Sequence, residues 1–201
     1  MIVLAGGIGS GKSVAARILR SIGYGVFDCD YEAALLMNTD SVIREEIKDV
    51  AGEDVYAADF LLDRKLLAAR IFSDSGLRRK VNEIVHAAVR KAIERWLKLD
   101  ERNIFVETAI AAESGIAASA DEIWIVEAPL ETRIERVASR DSRPREEIMN
   151  IIKAQEKEYE SLMDSGVPVT VIQNGDSDSL LSEILRLEKE KELNKITHRH
   201  A

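Results

Sequence analysis

The stretch Gly6-Gly7-Ile8-Gly9-Ser10-Gly11-Lys12-Ser13 satisfies the pattern G-x-x-x-x-G-K-[ST], and its residue types suit one task, holding the phosphates of a nucleotide. Glycines without a Cβ let the backbone curl around a phosphate and aim its N–H groups inward. Lys12 supplies charge for the β- and γ-phosphates, and the Ser13 hydroxyl is a ligand for Mg2+. Gly7, Ile8, Gly9, Ser10, Gly11, Lys12, Ser13 and Val14 are therefore the expected nucleotide-binding residues. A dinucleotide fingerprint does not fit: counted from Gly7 and Gly9, the next required glycine position holds Lys12.

Three further groups bear on what is done with the phosphate. Asp28-Cys29-Asp30 follows a second short apolar run, Gly25–Phe27. Carboxylates at the carboxyl end of a strand suit a metal-bound water or a proton taken from an attacking hydroxyl. Aspartate there also suits a helix cap, and Asp30 is the stronger candidate for chemistry. Glu107 closes a later strand, Asn103–Thr108, where a second acidic residue for the metal is expected; a solvent-facing charge is the alternative. The third group is cationic: Arg133, Arg136, Arg140, Arg143 and Arg145. Arg133, Arg136 and Arg140 are spaced to share one helix face. Small kinases use such a helical hairpin as a lid that brings arginines over the transferring phosphoryl group. A solvated face paired with Glu131, Glu135 and Glu146 is the alternative, and it suits Arg133. Arg140, then Arg136, are the arginines expected at the phosphoryl group.

The elements that must position these groups follow from periodicity. Ile2–Ala5 is a continuous apolar run, as a strand buried on both faces requires. A helix over Ser13–Ser21 comes next. Glu122–Glu127 and Val169–Gln173 read as further strands, and helices are expected from Pro129 to Arg140 and from Pro144 to about Tyr159. A last helix is expected from near Asp176 or Ser177 into Leu187, with a charged tail over 188–201. Buried strands alternating with helices predict an α/β fold with a parallel five-stranded sheet. Between Asp40 and Leu99 no strand is evident. The stripe Val81, Ile84, Val85, Ala88, Ala92, Ile93, Trp96 and Leu97 predicts helix, so residues 40–99 are expected to be a wholly helical insertion with breaks near Gly52 and Gly76.

The 201 residues suffice for one domain with a sizeable core. With 46% hydrophobic and 32% charged residues the chain reads as globular. A net charge of −8 argues against a nucleic-acid or anionic-membrane partner, so a polyanionic ligand needs a local cationic site. A lone cysteine, Cys29, permits no internal disulfide, and no apolar run is long enough to span a bilayer, so a cytoplasmic protein is expected. From the residues alone the candidates are a small-molecule kinase, including one acting on nucleoside monophosphates, and a nucleotide-dependent switch.

The order and spacing of the motifs resemble the dephospho-CoA kinases over residues 1 to about 186. The matching features are G-G-I-G-S-G-K-S at Gly6–Ser13; the D-x-D pair Asp28 and Asp30; Asn82 and His86; and a strand ending in Glu107 with the turn that carries Glu113. Arg133, Arg136, Arg140 and Asp141, then Gln155, and Asn174 after the last strand complete the set. The resemblance implies a three-layer P-loop kinase fold with a helical substrate-binding insertion and a small helical lid over about 141–159, all within one kinase domain. It implies ATP and Mg2+, and phosphorylation of the ribose 3′-hydroxyl of dephospho-coenzyme A. It further implies Asp30 as general base, Lys12 and Arg140 as catalytic, and Ser13 and Glu107 at the metal. Asp30, His86, Glu113 and Arg136 fall to substrate; for His86 a structural hydrogen bond between helices is an equal alternative.

Overall fold

The computed structural model describes residues 1–175 and 179–191. The elements in the first half are β1 (Ile2–Ala5), α1 (Lys12–Ser21), β2 (Gly25–Asp28), α2 (Cys29–Thr39), α3 (Ser41–Ala51), α4 (Arg64–Ser73) and α5 (Ser75–Leu97). Then come β3 (Asn103–Glu107), β4 (Glu122–Glu127), α6 (Leu130–Asp141), α7 (Arg145–Ala154), α8 (Glu156–Met163), β5 (Val169–Gln173) and α9 (Leu180–Glu190). The chain divides into two compact units, Asp28–Arg95 and the remainder.

The larger unit is built on the sheet, of order β2-β3-β1-β4-β5. β1 pairs in parallel with β3 (Val3 opposite Val106) and with β4 (Val3 opposite Ile123), and β4 pairs in parallel with β5. All four residues of β1 are buried, which is why its apolar run does not alternate. On one face Ile2, Leu4, Phe105, Trp124, Val126 and Ile172 meet Ala15, Ala16 and Leu19 of α1 and Ile184 and Leu187 of α9. The Phe105 ring meets Trp124 edge-on at 5.1 Å between centroids. A separate cluster joins α6 to α7 through Ile134, Val137, Ile148 and Ile152, and Ile8 of the glycine loop packs against it. The helical pair after β4 is thus tied to the loop by apolar burial.

The smaller unit has its own core: Ile43 and Ile47 of α3, Val55, Tyr56, Leu62, Leu67 of α4 and Val81 of α5. Asp40 and Asp63 cap α3 and α4 with their side chains. This unit begins at residue 28, not 40, because Leu36 and Met37 of α2 pack on that core and the Tyr56 hydroxyl donates to the Met37 carbonyl (2.8 Å). Nor is it wholly helical: after Gly52, at φ +99, the chain makes a 3-10 turn over Glu53–Val55 and an antiparallel bridge between Tyr56 and Leu62. The expected break near Gly76 falls two residues earlier, at Asp74, whose carboxylate accepts from the Gly76 and Leu77 amides.

The helix expected over Pro144–Tyr159 is two, α7 and α8, parted at Gln155, whose N–H is shared between the Ile151 and Ile152 carbonyls. The expected start of the last helix at Asp176 or Ser177 lies outside the described residues, as do tail positions 192–201. Among the described residues no helix is long and apolar enough to cross a membrane.

Candidate active site

The glycine loop leaves β1 and turns into α1. Gly11 sits at φ +100 in the left-handed region as the residue before α1, and its carbonyl accepts from the Val14 and Ala15 amides. No side chain among the described residues caps α1, so its leading donors and the positive end of its dipole are offered to an anion. Lys12 and Ser13 converge on one carboxylate. Lys12 Nζ lies 3.0 Å from Glu107 Oε1, and Ser13 Oγ donates to the same oxygen at 2.9 Å. Arg20 Nη2 stands 3.9 Å from Glu107 Oε2 and donates to the Val26 carbonyl. Glu107 is 4% exposed, so it is not a strand-end charge turned to solvent; its burial is sustained by two cations and a hydroxyl. A hydroxyl beside a carboxylate is a hard-oxygen donor pair of the kind Mg2+ takes together with phosphates and waters.

Three side chains from outside the loop fix its backbone. Gln155 Oε1 accepts from the Ile8 N–H (2.8 Å), and Arg133 Nε donates to the Ile8 carbonyl (2.9 Å). Asn174 Nδ2 donates to the Ser10 carbonyl (2.7 Å), and the Asn174 N–H donates to the Glu127 carbonyl. Both polar groups of the Ile8 peptide are therefore engaged by protein, and its N–H does not point into the loop. A Cβ on Gly7 would run into the Arg133 guanidinium, so a side chain there would push Arg133 off the loop.

The arginines divide differently from the sequence expectation. Arg133, assigned to a solvated face, is half-buried against the loop; burial pulls its pKa below the ordinary value, with Glu127 acting in the opposite direction. Glu131 pairs instead with Arg145 (2.6 and 2.7 Å). Arg136 reaches the loop beside Gly11, and its buried Nη1 has no hydrogen-bond acceptor among the described residues, which suits an incoming anion. Arg140 is exposed and chelates Asp141 (2.6 and 2.8 Å), and Arg143 pairs with Glu147.

Around this site, Glu158 of α8 accepts from the Ala112 and Glu113 amides, which fixes the turn after β3; Glu113 itself is exposed. In the smaller unit Asp28 is the N-cap of α2, accepting from the Tyr31 amide (3.0 Å), and Asp30 is exposed in the first turn of that helix. His86 is half-buried on α5. Residue reasoning gave Gln155 and Asn174 no role, although both belong to the recurring motif set. Spacing alone did not separate Arg133 from a solvent-facing helix residue, although it belongs to the arginine cluster.

A glycine loop opening a helix at the carboxyl edge of this parallel sheet, with a buried acid facing its lysine and serine, defines the class: a P-loop kinase fold. The family model for dephospho-CoA kinase matches residues 1–179. The dephospho-CoA kinase of Bacteroides fragilis is 38% identical over 92% of this chain and 90% of its own. A crystal structure from Thermus thermophilus is 32% identical, with a TM-score of 0.78 over 94% of this chain and 96% of that one. Dephospho-CoA kinase from Campylobacter jejuni shares the fold, with a TM-score of 0.68 at 20% identity over 96% of this chain and 98% of that one. The chain belongs to the dephospho-CoA kinase family.

Proposed function

We propose that the protein moves the γ-phosphoryl group of ATP to the ribose 3′-hydroxyl of dephospho-coenzyme A, giving coenzyme A and ADP. The observation that carries this reading is the family match over residues 1–179, on a chain that keeps Lys12, Ser13, Asp30, Glu107 and Arg140. The loop amides, Val14 and Lys12 hold the donor phosphates, and Arg136 meets their charge from the other side of Gly11. Ser13 and Glu107 would hold Mg2+, which would supply positive charge to the phosphates of the donor. Lys12, which rests on Glu107 at 3.0 Å, would turn to the phosphate oxygens. Asp30 accepts the proton of the 3′-hydroxyl as the new O–P bond forms. Arg140 exchanges Asp141 for the transferring group, a step eased by the weakness of exposed ion pairs in water. His86 and Glu113 contact the acceptor. Cys29, the chain's one cysteine, is buried and in no disulfide, which supports a cytoplasmic setting.

The test is mass spectrometry of products after mixing the protein with Mg·ATP and either dephospho-CoA or a panel of nucleoside monophosphates. One phosphate gained by dephospho-CoA is expected; gain on a nucleotide alone would give the site to a nucleoside monophosphate kinase. Asp30→Asn is expected to keep ATP binding while kcat falls about a hundredfold or more. Near-normal turnover would return Asp30 to a helix-terminal role.

A further inference from the structure

Next to the glycine loop the larger unit forms an open cavity of about 670 Å3. Its walls come from the loop and from the ends of β1 and β4, with α6, α7 and α8; Gly7, Ser10, Arg133, Gln155, Tyr159 and Glu127 are among them. Two of these groups are polar and unspent. Ser10 is 1% exposed, and its Oγ has no hydrogen-bond partner among the described residues. Arg133 spends Nε on the Ile8 carbonyl, and no carboxylate among the described residues pairs with its guanidinium. Of the acids that line the cavity, Glu127 and Glu158 hydrogen-bond to other groups, and Glu127 acts on Arg133 without forming an ion pair. Glu127 accepts from Gln173 (3.1 Å) and from the Tyr159 hydroxyl, and Glu158 holds the Ala112 and Glu113 amides. Glu156 and Glu160, also at the cavity, are solvent-exposed.

A half-buried, unpaired guanidinium is costly without an anion to meet it. In a chain of net charge −8 it is also conspicuous, and its four Nη hydrogens form the fork that suits phosphate oxygens. A volume of this size accepts a nucleotide-sized ligand. We propose that this cavity is a second phosphate subsite, in which Arg133 and the Ser10 hydroxyl bind phosphate oxygens of a substrate beside the P-loop. The inference rests on the kinase reading for its ligand class: the diphosphate of the acceptor or the γ-phosphate of the donor. Arg133 then has two jobs on one side chain, since Nε positions the loop while the Nη groups bind substrate.

The experiment is titration calorimetry of the wild type, Arg133→Gln and Arg133→Lys with four ligands: dephospho-CoA, adenosine (by competition), ATP and ADP. Arg133→Gln is expected to weaken a phosphate-bearing ligand about ten- to hundredfold, the scale of a charge-assisted contact, and Arg133→Lys to retain part of it. Loss on dephospho-CoA but not adenosine assigns the acceptor diphosphate. Loss on ATP but not ADP assigns the γ-phosphate. Equal loss on all four ligands, the pattern expected of Gln155→Leu as a loop-positioning change, or no loss, overturns the proposal. Wild-type turnover of dephospho-CoA is read separately, so a failure of the kinase reading is not mistaken for a failure of this subsite.

Discussion

Gly11→Ala isolates the backbone requirement of the loop. At φ +100 a side chain is strained, and holding an alanine there costs about 1–2 kcal/mol. A Cβ built on Gly11 also overlaps the Asn174 amide nitrogen. That amide must move, and its 2.7 Å bond to the Ser10 carbonyl is lost. A buried carbonyl left unpaired costs about 1–3 kcal/mol. If the cradle must keep this shape to hold phosphate, the two costs together lower ATP affinity at least about thirtyfold. Asn174→Ala alone carries only the hydrogen-bond cost. In Gly11→Ala/Asn174→Ala that cost is counted once rather than twice, so the double variant falls short of the sum by about 1–3 kcal/mol. ATP dissociation constants for the four proteins close the cycle. Additivity to within about 0.5 kcal/mol, or Gly11→Ala binding ATP like the wild type, would refute the steric link between Gly11 and Asn174.

Two further outcomes concern stability. Ile148 is fully buried between α6 and α7, so Ile148→Ala should lower unfolding free energy by about 2–5 kcal/mol and weaken ATP binding through the loop contact of Ile8. The neighbouring, partly exposed Met149 should tolerate alanine to within about 0.5 kcal/mol, both read by denaturant unfolding. Tyr24, chiefly by burial and then by Glu188, and Tyr159, chiefly by its hydrogen bond to Glu127 and then by burial, are pushed up to about 12. Each phenol stays protonated longer folded than unfolded, so its contribution to stability is complete below pH 10 and is lost as pH rises toward about 12. Phenolate absorbance should show both titrating late, and Tyr159→Phe should remove one of these transitions; a Tyr159 titrating near 10 would contradict the Glu127 contact.

The strands, the glycine loop and the helices around it were legible in the sequence because each is a local pattern. An unbroken apolar run, a glycine spacing and a helical stripe depend on residues within a few positions of one another. The buried strand Ile2–Ala5 and the loop at Gly6–Ser13 define a phosphate site before any tertiary contact is considered. The roles of single polar side chains did not follow in the same way. Arg133, Arg136 and Arg140 occupy one helix with equivalent spacing. Tertiary packing sends Arg133 to the Ile8 carbonyl and leaves Arg136 with a buried, unsatisfied nitrogen beside Gly11, while Arg140 stays at the surface on its chain neighbour Asp141. Glu107, expected at the metal with a solvent charge as the alternative, is turned inward by Lys12 and Ser13, which reach it from 95 and 94 residues away. Gln155 and Asn174 hold the loop from 147 and 164 residues away. Sequence periodicity determines which face of an element is buried; which buried polar atom meets which partner depends on long-range approach, and that is what the tertiary structure decided.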